Sequence, residues 1–449
     1  MATLVPAPSF RASGSPIKTA QLPAKSYVLA IASLPSFYAA AASAPSNAVH
    51  IFDKERLRLV LSLSEPEAPI TALRSVPTVA GSAPQALVSA SKDGCVRVWD
   101  ERAATAALRL TASTAGTPRA LLSCDVSSDG LTIAAGTDLK GDDASILYWD
   151  PRNPAAPLRT HASTHSDDIT ALHFYRPPPH AAHAPGLTPR TLLSASSDGL
   201  LCTSDAAEAD EDEAGVHVGN WGCSVAQAGW VHDRTGAAGV WAASDMETFS
   251  VWSSELDRLQ DTDIRQPSVH REELSWVTDY LVGCHISSRA LAGAPNADNA
   301  LCVFVGSNEG HISLVSHPTF DDPWLLHRTW THAHAGVVRA VHWDETAGIL
   351  LTGGEDGKLN VWTAPVLGPP DGAEGIPRSG RPVAPSIAAA LASRKRAPED
   401  EDEGEGMDVD EADDLSDGEM RDDSDPDDAG PSTAPATTRK QRKRQRRRN

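Results

Sequence analysis

The stretch Gly336–Trp362, GVVRAVHWDETAGILLTGGEDGKLNVW, holds three short apolar strands joined by two tight connections. VVRAVHW, ILLTGG and KLNVW are separated by DETAG and EDG, and the Gly and Asp of those links are what sharp reversals need. His334 stands before the first strand and Trp362 closes the third. A unit this small cannot bury its own apolar faces. A chain built from several copies must therefore stack them on one another.

Copies do recur upstream. ITALRSV and ALVSASKDGCVRVWD place Ser89, Asp93, Trp99 and Asp100 at equivalent points, and ALLSCDVSSDGLTIAAG with SILYWD ends on Trp149-Asp150. Another begins at His165, continues as DITALHF and TLLSASSDG, and ends in LLCTSD with Ser204 where Trp stands elsewhere. Weaker copies are SYVLAIAS/FYAAAAS/AVHIFD, CSVAQAGWV/GVWAASD/TFSVWSS and VTDYLVGCH/ALCVFVGSNEG/HISLVSH. The tally is seven.

The order His, apolar strand, Ser/Thr strand, Asp-Gly turn, Trp resembles the WD repeat, one blade of a β-propeller. The resemblance covers about residues 17–365 and implies an all-β, seven-bladed propeller. Within that superfamily, SDDITALHF with its SSDG turn, DIR…DYLVG, and LLTGGEDGKLNVW leading into a Lys/Arg-ended tail narrow it to a small subfamily. It further implies a eukaryotic, non-enzymatic, protein-binding propeller with no catalytic residues and no cofactor.

Strand counting adds a closure. After Trp362 the chain becomes TAPVLGPPDGAEGIP, so the last blade lacks an outer strand, while IKTAQL at 17–22 is one strand too many. That N-terminal strand is expected to complete the last blade and close the ring. Residues 1–16, rich in Ala, Pro and Ser, read as a flexible leader. Residues 366–449 show no hydrophobic period and read as a disordered acidic, then basic, tail.

Six scattered cysteines form no C-x-x-C or His/Cys set, which favours buried thiols over metal ligands. A formal net charge of −21 argues against nonspecific binding to nucleic acid or anionic membrane by the chain as a whole. No apolar run is long enough to span a bilayer, and MATLVPAPSFRASGSP lacks the apolar core of a signal peptide.

Recurrent Ser, His and Asp invite a hydrolytic reading, but no G-x-S-x-G elbow is present. In a WD repeat these residues form a buried structural tetrad, here His334, Thr352, Asp356 and Trp362. Its counterparts are His165, Ser194 and Asp198, without the Trp, and Asp93 and Trp99. His180 and His183, in a Pro/Ala loop, read as a solvated insertion. No Walker-type phosphate loop occurs. The polar segment before the sixth repeat carries Arg265, His270, Arg271 and Trp276, and Arg and Trp are types enriched at binding hot spots; it is the candidate partner-binding loop, with a core Trp276 and solvated charges as the equal alternative.

The tail has three charged parts. Arg394, Lys395 and Arg396 form a small basic cluster, and Glu399–Asp428 is dominated by Asp and Glu. Arg439, Lys440, Arg442, Lys443, Arg444, Arg446, Arg447 and Arg448 end the chain. The basic parts read as a nuclear or nucleolar import signal, with the cytoplasm as the other compartment and RNA as a competing ligand of the last segment. Ser416 and Ser424 have acidic residues three positions on, the setting acidophilic kinases accept. A monomeric protein-interaction scaffold is the expected function. A chaperone for a basic client ranks second, then a nucleic-acid binder, then an enzyme.

Overall fold

The computed structural model describes residues 3–367 apart from 65, 82–84, 101–104, 115–116, 178–185, 233–236, 273, 288–300, 317–322 and 366. Seven antiparallel sheets follow one another along the chain, over 28–63, 70–111, 121–161, 169–220, 225–263, 280–330 and 338–363. The innermost strands adjoin in sequence, Val28–Ser33 beside Ile70–Val76 and so on, until Val338–Asp344 returns to Val28–Ser33. The result is a closed seven-bladed propeller.

Burial explains the layering. A central strand such as Cys95–Trp99 is buried throughout, whereas the outer Leu59–Leu63 leaves its first residues exposed. Apolar side chains pack between sheets. Ala39, Ile51 and Leu63 of the first blade meet Leu73, Leu87 and Trp99 of the second. Trp330 and Ile312 of the sixth meet Trp343 and Trp362 of the seventh.

The final interface is made by the chain's own beginning. Strand β1 covers Leu4–Ser13 and β2 covers Lys18–Gln21. β2 pairs antiparallel with Lys358–Thr363, placing Thr19 opposite Asn360, and the Thr19 hydroxyl donates to Asn360 Oδ1 at 2.7 Å. This is the closure read from the sequence. Leu22 then joins Val28, Tyr38 and Phe52 of the first blade and Ala340, Leu351 and Val361 of the seventh in one cluster. Nearby, Lys54 Nζ lies 2.9 Å from Asp344 Oδ2, which also accepts from Ser33 Oγ at 3.2 Å.

The flexible leader is corrected. Residues 4–13 form β1, which pairs parallel to Trp324–Trp330 and gives the sixth sheet a fifth strand. Leu4 and Ala7 are buried, and Phe10 packs on the same core. An edge strand pairs on one side only, so Pro6 and Pro8 are tolerated there. Removing residues 1–14 strips β1 but leaves the ring closed; removing 1–22 opens it. Calorimetry should show the longer deletion melting more than about 5 °C below the shorter one.

Candidate functional site

In the seventh blade, strand Ile349–Gly354 carries Thr352, the turn after it carries Asp356, and strand Lys358–Thr363 carries Trp362. The turn needs glycine: Gly357 has φ +71°, and a Cβ there would lie 2.7 Å from the Ser26 carbonyl of the neighbouring segment. His334 arrives from the loop before the blade. Trp362 Nε1 donates to Thr352 Oγ1 at 3.0 Å, and His334 Nε2 lies 2.9 Å from the same hydroxyl. His334 Nδ1 lies 2.9 Å from Asp356 Oδ1. With the imidazole proton on Nδ1, each donor meets one acceptor: indole to hydroxyl, hydroxyl to Nε2, Nδ1 to carboxylate.

Burial alone would raise the Asp356 pKa. The His334 hydrogen bond, with backbone N–H donors from Ala335 and Lys358, more than reverses this and brings it to about 2. Thr352 is fully buried between its partners. The set is arranged to hold a turn against a loop, and its hydroxyl is turned inward rather than toward a substrate.

The other blades vary this arrangement. In the fourth, His165 Nε2 lies 2.8 Å from Ser194 Oγ and Nδ1 lies 3.2 Å from Asp198 Oδ2, with Ser204 in the Trp position. In the second, Trp99 Nε1 donates to Ser89 Oγ at 3.0 Å, but Asp93 is held by the buried Arg97 in a two-pronged contact of 3.2 and 2.7 Å. In the third, Ala135 stands where Ser or Thr would be. Among the described residues the Trp149 indole N–H meets no acceptor. Arg119 instead bonds Thr137 Oγ1 at 3.2 Å and the Asp138 carbonyl at 2.8 Å.

Three contributors were missed in the sequence. The alternation in CVRVW hinted that Arg97 faces inward. Arg119 had no local signal. Glu211, in an acidic run, accepts N–H groups of Ala162, Ser163 and Thr164 at 2.7–2.8 Å, fastening the loop that delivers His165.

The four residues of the candidate partner loop do not form one patch. His270 and Arg271 are exposed on a small hairpin, Val269–Arg271 with Leu274–Trp276. The Arg265 guanidinium is clasped by Asp263 at 2.8 Å. Trp276 is 5% exposed, packs with Trp324, Ile264 and Leu4, and donates to Thr278 Oγ1 at 3.0 Å. Of the two readings of Trp276, surface anchor and core residue, the structure shows the core residue. His180, His183, Ser416, Ser424 and the basic residues 394–396 and 439–448 lie outside the described residues.

A concave site lies where the inner strands of the fifth, sixth and seventh blades begin. It has a volume of about 350 Å³, and Gln227, Glu247, Tyr280, Leu281, Val337 and Arg339 are among its walls. It sits on the face that carries the turns between second and third strands, since Asp245 and Glu247 belong to one of them.

The family model "WD domain, G-beta repeat" matches residues 58–100 and 324–363. Each match takes the outer strand of one blade and the three inner strands of the next, ending at Trp99-Asp100 and at Trp362-Thr363. The chain is a seven-bladed propeller that carries this repeat in two of its stretches. It is similar to the WD repeat-containing protein 89 homolog of Dictyostelium discoideum, 25% identical over 75% of this chain and 82% of that protein. It is also similar to WD repeat-containing protein GTS1 of Arabidopsis thaliana, 28% identical over 63% and 67%. A solved structure, that of the computationally designed Ika8 protein, shares the fold at 17% identity with a TM-score of 0.51, covering 78% of this chain and 98% of that one.

In this propeller the tetrad carboxylate makes stability depend on pH. A folded pKa below the ordinary 3.8 means the contribution is complete above that value and is lost as pH falls from about 4 to about 2. Asp356→Asn should cost about 1–3 kcal/mol at neutral pH. Its melting temperature should also fall less between pH 5 and pH 2 than that of the unaltered chain, as measured by circular dichroism.

Proposed function

We propose that this chain is a non-enzymatic scaffold that brings protein partners together in a nuclear complex. WD-repeat propellers in general mediate protein–protein contacts, and the propeller fold and the two matched repeats support that reading here. The observation that carries the reading is the closed bond chain Trp362–Thr352–His334–Asp356. Here, and in the Ser194–His165–Asp198 set of the fourth blade, the groups that resemble a hydrolytic triad are engaged in fastening a turn to the loop that begins its blade. The disc is then a rigid frame whose loops are its working parts. Arg394–Arg396 and the basic end support nuclear import of such a frame.

A second reading, an escort for a basic client such as a histone or ribosomal protein, is favoured by charge. The segment from 367 onward carries 14 Lys/Arg against 20 Asp/Glu, so the rest of the chain holds a net charge of about −15. Within Glu399–Asp428, 18 of 30 residues are acidic, which would attract a cationic protein and repel nucleic acid.

Affinity purification from nuclear extract with mass spectrometry separates the two. The scaffold reading expects the same non-basic partners with the full chain and with a chain ending at Pro365. A dominant histone or ribosomal protein that disappears with the tail supports the escort. Phosphate on Ser416 and Ser424 in the same spectra is expected on either reading.

A further inference from the structure

The tight turns between second and third strands share one backbone requirement. Gly94, Gly199, Gly310 and Gly357 occupy it at φ of +79°, +87°, +83° and +71°. The fifth blade breaks the pattern. Its turn reads Ser244-Asp245-Met246-Glu247, and Glu247 stands in the glycine position at φ +63°. A side chain kept in the left-handed region is disfavoured for an L-residue, and such outliers gather where something is gained in return.

The position of the carboxylate shows what is gained. Elsewhere the glycine lets the next segment approach closely: a Cβ on Gly310 would lie 2.1 Å from the His334 carbonyl, and one on Gly357 would lie 2.7 Å from that of Ser26. In the fifth blade Glu247 Oε2 instead reaches the sixth and accepts the Leu281 N–H at 2.8 Å. Its side chain thus becomes a wall of the concave site, beside Asp245.

The nearby cations are engaged. Arg339 gives Nε and Nη2 to Glu355 Oε1 at 2.9 and 2.5 Å, and Arg265 is clasped by Asp263. Counting those pairs as neutral, Asp245 and Glu247 leave the site negative. Burial raises the Glu247 pKa above its ordinary 4.5, against the Leu281 N–H bond and the pull of Arg265, which lower it. The rest of the wall is suited to an aliphatic stem: Leu281, Val337, Ala226 and the Tyr280 ring. Met246, between the two acidic residues, is exposed at 67%. At about 350 Å³ the site lies near the small end of ligand pockets, room for one long side chain.

We propose that this site receives an arginine or lysine side chain from a basic segment of a protein partner, with Glu247 as the group that meets its charge. The proposal rests on the scaffold reading and names one of its contacts.

The test uses the full chain and short capped peptides that differ only at a central Arg, Lys, citrulline or Glu, with affinity measured by calorimetry. The Arg and Lys peptides should bind best, and affinity should fall as salt rises. Glu247→Gly relieves the left-handed backbone while giving up the bond to the Leu281 N–H, so the two effects offset and the variant should stay folded, as circular dichroism checks. It should nonetheless lose about tenfold or more in affinity for the Arg peptide, as should Glu247→Gln. Equal binding of the Arg and Glu peptides, or affinity unchanged in both variants, overturns the assignment while leaving the scaffold reading intact. The scaffold reading falls separately, if the full chain captures no specific partner from nuclear extract.

Discussion

A ring of sheets is only as sound as the interface where its ends meet. Six of the seven junctions here join blades consecutive in sequence, and the seventh must be made by segments more than 300 residues apart. β2 on Lys358–Thr363 makes it, by main-chain pairing, by the Thr19–Asn360 bond and by the Leu22 cluster. Lys54 and Asp344 add an ion pair between the same two blades. Without β2 the last sheet would present Lys358–Thr363 as a bare edge, a template for pairing with another chain.

The tetrads serve the same end at smaller scale. Each fastens the turn of one blade to the loop that begins it, so that neighbouring blades keep their spacing and the exposed loops keep theirs. The seventh blade does this with all four groups, the fourth without Trp, the second with Arg97 in place of His, and the third through Arg119. What stays constant is the need to satisfy buried donors and carboxylates, and different residues meet it. The fifth blade goes further, spending its turn position on Glu247 and so opening a negatively charged recess between blades.

Much of this was legible because it is local and periodic. Strand-length apolar runs, Asp-Gly turns and terminal Trp residues repeat, and counting strands was enough to assign IKTAQL to the last blade. The errors arose where a residue's role depends on a distant partner. β1 looked like a leader because Pro6 and Pro8 argue against a strand, yet a parallel edge strand tolerates both. Trp276, in a polar loop, could be read as an anchor or as a core residue, and only the packing with Leu4 and Trp324 decides for the core. Glu211 sits in an acidic run with no local signal of a role, and only the fold brings the Ala162–Thr164 amides to it. Glu247 was in plain view at a glycine position, but seeing it required aligning the turns of a weak repeat with those of strong ones.

Native-state hydrogen exchange on the full chain tests the closure most directly, by comparing amides of Lys18–Gln21 and Lys358–Thr363 with those of an interior strand such as Cys95–Trp99. If the N-terminal strand seals the ring, both segments exchange slowly and become exposed together, at a free energy close to that of the interior strand. Fast, independent exchange of Lys18–Gln21 beside a protected Cys95–Trp99 would show that the propeller holds together without it, and would contradict this account.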